Sequence, residues 1–207
     1  MVGRKSITKS PVRLSPTHKS YQPPALSQMK NTNSSVITGS GAKPYYAAPT
    51  VASVTAAPKN PDMPTILIEE FKMEPKNYGN PDALHDPDVF DACLKKWKEL
   101  GILYVDDVIK NARDPIDYHL RVSNNDFGSA FGQVDRDGKM QGIGREVNDF
   151  IYEGQFKDNV YHGWGRFISH QGVYWGFWSN GLRNGQGKFV SSDGKTMEGN
   201  WVMGLLK

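Results

Sequence analysis

From about Ser129 to the last residue, apolar and polar positions alternate in short stretches separated by turn residues. In "YEGQF", Tyr152, Gly154 and Phe156 fall on one side and Glu153 and Gln155 on the other, the period-two pattern of a strand with one apolar face. "KDNVYHG" reads as a polar turn, "GWGRFI" as the return strand and "SHQG" as a further turn. Upstream the period changes. In "HDPDVFDACLKKWKELG", Phe90, Cys93, Leu94 and Trp97 recur at spacings of three and four, which predicts a helix over about 87–100 with Leu100 extending its apolar stripe. Asp86 is placed to cap it, Pro87 suits its first turn, Asp88 and Asp91 favour its positive end, and Lys95, Lys96 and Lys98 favour the other end before Gly101 stops it. "VDDVIKNA", Val105 to Ala112, predicts a second, shorter amphipathic helix, and the apolar run "TILIEEF", Thr65 to Phe71, predicts a strand. Residues 1 to about 65 show neither period and are expected to be extended or disordered in isolation.

The alternating region repeats itself. Gly132, Gly154, Gly176 and Gly199 lead successive units at spacings of 22, 22 and 23 residues, and a glycine pair recurs at Gly142 and Gly144, Gly163 and Gly165, and Gly185 and Gly187. Each unit reads as a β-hairpin whose glycines leave room for rings against the opposing backbone, and stacked units predict an elongated single antiparallel sheet.

A tyrosine, glutamate and glycine triplet followed by a glycine pair nine residues on resembles the MORN repeat family, over residues 129–207: three full copies and a truncated fourth. The first copy is degenerate, with Ala130 at the tyrosine position and ten residues between Gly132 and Gly142. The resemblance implies a mainly β chain, with a linker over 66–128 ahead of the repeats. Its repeat core would be Tyr152, Gly154, Phe156, Gly163, Gly165, Tyr174, Gly176, Trp178, Gly185, Gly187, Gly199 and Trp201. Trp164, Trp175 and Phe177 depart from the polar residues the family places there. By strand parity they point away from the ring face of Tyr152, Phe156, Tyr174 and Trp178. A single-layer sheet cannot bury such a second apolar surface, so either the helix of Phe90, Leu94 and Trp97 folds over it or another protein docks there.

Charge divides the chain. Residues 1–61 hold Arg4, Lys5, Lys9, Arg13, Lys19, Lys30, Lys43 and Lys59 and no acid, so the overall +3 leaves 17 basic against 22 acidic side chains, a net −5, in the remainder. An acid-free basic tail either meets an anionic partner surface, with Arg4, Lys5, Lys9, Arg13 and Lys19 binding it, or is a solvated tail kept soluble by its charge. "KSPVRLSP" sets Ser10 and Ser15 before prolines, where phosphorylation would subtract from that charge.

Catalytic patterns are not met. His18, His85, His119, His162 and His170 lack metal-ligand spacing, His162 being expected as a turn residue, and Cys93 is the single cysteine, expected as a buried small hydrophobe. "GLRNGQGKF" fails the phosphate-loop pattern in spacing and in Phe189, and "DRDG" lacks the remaining ligands of a calcium loop. No apolar run approaches the ~20 residues of a membrane helix.

The expectation is therefore a non-enzymatic structural protein without cofactor or metal. Its partners would be other proteins of a large assembly, tubulin among them, with no nucleic acid. It would sit in the cytoplasm, in a cilium, axoneme or other microtubule cytoskeleton. Two alternatives remain open. One is an accessory subunit of a mitochondrial membrane complex, the basic N-terminus acting as an import signal although Pro11 and Pro16 interrupt its helix. The other is a tether on anionic membrane lipid, for which the repeats show no concentrated basic stripe, Lys157, Arg166, Arg183 and Lys188 being offset by acids.

Overall fold

The computed structural model describes residues 63–80, 84 and 86–207. Among the described residues three helices, α1 (Thr65–Lys72), α2 (Pro87–Leu100) and α3 (Val105–Asn111), precede nine strands. The strands are β1 (Arg121–Asn124), β2 (Ala130–Val134), β3 (Met140–Val147), β4 (Ile151–Lys157), β5 (Val160–Ser169), β6 (Gly172–Ser179), β7 (Leu182–Ser191), β8 (Thr196–Val202) and β9 (Leu205–Leu206). They form one antiparallel sheet in chain order, β1 to β9. The sheet thus opens at Arg121, one strand before the repeats begin at Ser129, because β1 pairs with β2 although it carries no repeat glycine.

Register explains the glycines. Gly132, Gly144, Gly154, Gly165, Gly176, Gly187 and Gly199 are Cα partners in succession, so a row without side chains crosses β2 to β8. The Tyr152 and Tyr174 rings fill the space. A Cβ on Gly165 would stand 2.5 Å from the Tyr152 hydroxyl oxygen, and one on Gly187 2.5 Å from Tyr174 Cζ. Each hydroxyl then donates within its own unit, Tyr152 Oη to the Gln155 carbonyl at 2.8 Å and Tyr174 Oη to that of Phe177 at 3.1 Å. Beside this row Phe156, Tyr161, Phe167, Trp178, Phe189 and Trp201 close one aromatic core, with Tyr152 stacked on Tyr161 at 3.8 Å and edge-on to Trp178 at 5.6 Å.

Successive units are also tied at their turns. Asn159, Gly181 and Gly204 each carry positive φ, and their amides donate to the carbonyls of Met140, Tyr161 and Arg183 in the preceding unit, at 3.1, 3.0 and 2.9 Å.

The opposite face of β3–β6 is covered by the helices. α2 begins and ends as its sequence dictates: Asp86 Oδ1 accepts from the Asp88 and Val89 amides, and the Gly101 amide, with Gly101 at φ 77°, donates to the Trp97 carbonyl. "TILIEEF" is corrected from strand to helix. Leu67 and Phe71, four apart, both turn into the core, and the α1 C-terminal carbonyls find a partner in the sheet that no local pattern reveals.

Candidate interaction surface

Trp164, Trp175 and Phe177 do point away from the aromatic core. They are not a free surface. Trp164 and Phe177 are buried with Met63, Leu67 and Phe71 around α1 and with Leu103, Val105 and Val108 around α3. Cys93 and Trp97 of α2 pack instead on Ile151, Ile168 and Val173, with Phe90, Leu100 and Trp175 partly buried beside them. The expected outward patch is thus covered within the chain by three helices, and only Trp175 stays half-buried. Cys93 is buried as expected. Burial, with Asp149 adding to it, pushes its thiol up to about 12, so it stays protonated and unreactive.

At the centre of this layer lies an ionic cluster. Glu153, fully buried, accepts at Oε1 from Arg145 Nη2 (2.7 Å), Arg145 Nε (3.0 Å) and Trp97 Nε1 (3.0 Å). Its Oε2 accepts from Arg166 Nη2 (2.5 Å) and Nε (3.0 Å). Further guanidinium donors reach backbone carbonyls of the helical layer: Arg145 those of Glu70, Phe71 and Met73, and Arg166 that of Gly101, all at 2.9 to 3.0 Å. Two cations share one carboxylate, and the helix-end carbonyls supply the rest of the compensating negative potential. Burial by itself would raise the Glu153 pKa, yet Arg166 and Arg145 hold it below the usual carboxylate value. The cluster staples α1, α2 and the α2–α3 loop to β3–β5. In the repeat pattern alone Glu153 is an ordinary polar residue beside the leading glycine. The available signal was its offset: Arg145 and Arg166 each follow a glycine of the row and Glu153 precedes one, which puts all three on one face.

A second feature recurs in each unit, where the return strand bulges. In the first, Gln133 Oε1 accepts from the Ile143 amide at 2.7 Å, and in the second Gln155 Oε1 accepts from the Trp164 amide at 2.9 Å. The bulge glycines Gly142, Gly163 and Gly185 have φ of 104°, 55° and 105°. In the third unit Phe177 stands at the glutamine position, and the Arg113 guanidinium lies flat on its ring, 3.6 Å from the centroid.

His162, expected in a turn, lies within β5 with Nε2 3.2 Å from Asp114 Oδ2. Arg166 is the buried partner of Glu153, and Arg183 is buried over the rings of Tyr174, Phe189 and Trp201. Lys188 pairs with Glu198 at 3.3 Å. These cations therefore do not make a basic stripe. Arg4, Lys5, Lys9, Arg13 and Lys19 lie outside the described residues. Among the described residues no group of three or more His, Cys, Asp or Glu side chains is placed to hold a metal, and no helix is long and apolar enough to cross a membrane.

The comparison with known families agrees with the geometry. The family model of the MORN repeat matches residues 152–174 and 174–196, the two units whose tyrosines lie on the glycine row. Residues 152–196 are thus two MORN repeats, and they indicate a non-catalytic role in docking to protein or membrane surfaces. A search of curated proteins finds no match.

Proposed function

We propose that the chain is a non-catalytic assembly protein of a ciliary axoneme or other microtubule-based complex, with the MORN sheet as its rigid body and the basic tail as its principal docking element. The observation that carries this reading is the charge division: eight cations and no acid in residues 1–61, against a net −5 in the remainder. A chain so divided attaches its tail to an acidic surface such as tubulin while its body stays off that surface. The helical cover on Trp164 and Phe177 supports the same division of labour, because the outward apolar surface of the repeats is already used inside the chain.

Co-sedimentation of the full chain with microtubules tests it. Binding should be retained at low salt, fall steeply as salt rises, and be lost when Arg4, Lys5, Lys9, Arg13 and Lys19 are all replaced by glutamine. No binding at low salt overturns the tubulin assignment. Flotation with anionic vesicles in its place would favour the membrane tether, and imaging that puts a tagged chain in mitochondria would favour the accessory-subunit reading.

A further inference from the structure

The third repeat differs from its neighbours in the way its bulge is held. In the first and second units a glutamine oxygen from the preceding strand receives the bulge amide, of Ile143 or of Trp164. Gln186 is the corresponding residue of the third unit, following the bulge glycine Gly185 as Ile143 follows Gly142 and Trp164 follows Gly163. Its register confirms the equivalence: Ile143, Trp164 and Gln186 face Gln155, Phe177 and Asn200 on the next strand, each the residue after a glycine of the row. Phe177, at the glutamine position, has no side-chain acceptor to offer.

What the third unit gains is a cation. Arg113, from the segment after α3, is held by its stack on Phe177, and a Cβ on Gly185 would lie 3.7 Å from its Nη1. Among the described residues no carboxylate lies within ion-pair distance of Arg113. The nearest acid in sequence, Asp114, turns to His162 instead, and the Lys188 ammonium is matched by Glu198. Arg113, Asn184 and Gln186 are all exposed, so the bulge opens to solvent.

We infer that this bulge and Arg113 form a docking subsite for a carboxylate side chain on an acidic segment of another protein. One oxygen takes the place that Gln133 Oε1 and Gln155 Oε1 hold in the other units and accepts from the Gln186 amide. The second accepts from the Arg113 guanidinium, whose planar donors suit a carboxylate and whose position is fixed by the ring beneath it. The departure of Phe177 from the repeat pattern then has a use: it removes the internal acceptor and anchors the external cation. The inference stands on the third repeat alone and is independent of the tail.

The test is a titration of the 15N-labelled full chain with hexaglutamate, read at the Gln186 amide resonance. A saturable shift is expected, unchanged when the five tail cations Arg4, Lys5, Lys9, Arg13 and Lys19 are replaced by glutamine. Arg113→Gln, an exposed substitution, should weaken the apparent affinity about tenfold, as loss of a charge-assisted hydrogen bond implies. Phe177→Gln should restore the internal acceptor and abolish the shift in a folded chain; if that variant fails to fold, Arg113→Gln decides. A Gln186 resonance that hexaglutamate does not move, or that moves equally in Arg113→Gln, overturns the subsite. Binding seen only at tail resonances overturns it too, and leaves the tail reading intact.

Discussion

Glu153 shows how much one side chain organises here. Removing its charge leaves two guanidinium groups buried against each other, so Glu153→Gln should destabilise the fold by about 3–5 kcal/mol in urea denaturation at neutral pH. The sign of its pH dependence follows from its lowered folded-state pKa. The stabilisation is fully present above the ordinary glutamate value of 4.5 and is lost as pH falls from there through the folded value. Glu146 works in the opposite sense, because burial raises its pKa against hydrogen bonds from Tyr161 and Asn148. Its contribution is present below 4.5 and is lost as pH rises through its folded value. Acid unfolding curves of Glu153→Gln and Glu146→Gln should therefore change slope in opposite directions. At the glycine row the limit is space: Gly165→Ala would push a methyl into the Tyr152 ring and should cost roughly 1–3 kcal/mol by the same measurement.

The elements differ in how far their own residues specify them. α2 is locally complete, with its cap, its charged ends, its stop glycine and a stripe of apolar residues, and it forms where the pattern places it. Asp86→Ala should cost about 1 kcal/mol, seen as faster hydrogen exchange in the first turn of α2 with little change in the sheet. α1 is the reverse case. "TILIEEF" has the β-branched content of a strand and no side-chain cap, and it becomes a helix because Arg145, more than seventy residues later, collects its terminal carbonyls while Leu67 and Phe71 enter the core. β1 likewise has no repeat residue to announce it and exists because β2 offers an edge to pair with. His162 lies in a strand and not in a turn because the left-handed residues that reverse the chain are Asp158 and Asn159, so the polar residues after them already belong to β5.

Across the whole molecule, stability should not be uniform. The helices cover β3–β6, whereas the outer face of β7 and β8 carries exposed or half-exposed residues such as Gln186, Lys188, Glu198 and Asn200. In a sheet built from nearest-neighbour contacts, strands backed by a second layer open last. Hydrogen exchange should show the strongest protection in β4–β6 and a decline toward β9; equal protection throughout would refute the stapling role given to the helical layer. The same arrangement bears on docking: Trp164 is covered by the helical layer, which leaves the tail and the open bulge of the third repeat as the proposed docking elements.

The sequence by itself determined the repeats, the hairpin meander, the aromatic face and α2. Each rests on a local period, of two, of three to four or of 22 residues, or on a cap within one turn of the helix it caps. It also showed that Trp164, Trp175 and Phe177 face away from the rings, since strand parity is a local property. Only the tertiary structure decided what covers them, that α1 is a helix, and that Glu153 is the shared partner of two arginines. Those outcomes depend on residues distant in the chain sharing one low-dielectric space, where an unpaired charge or carbonyl costs more than local propensity can offset.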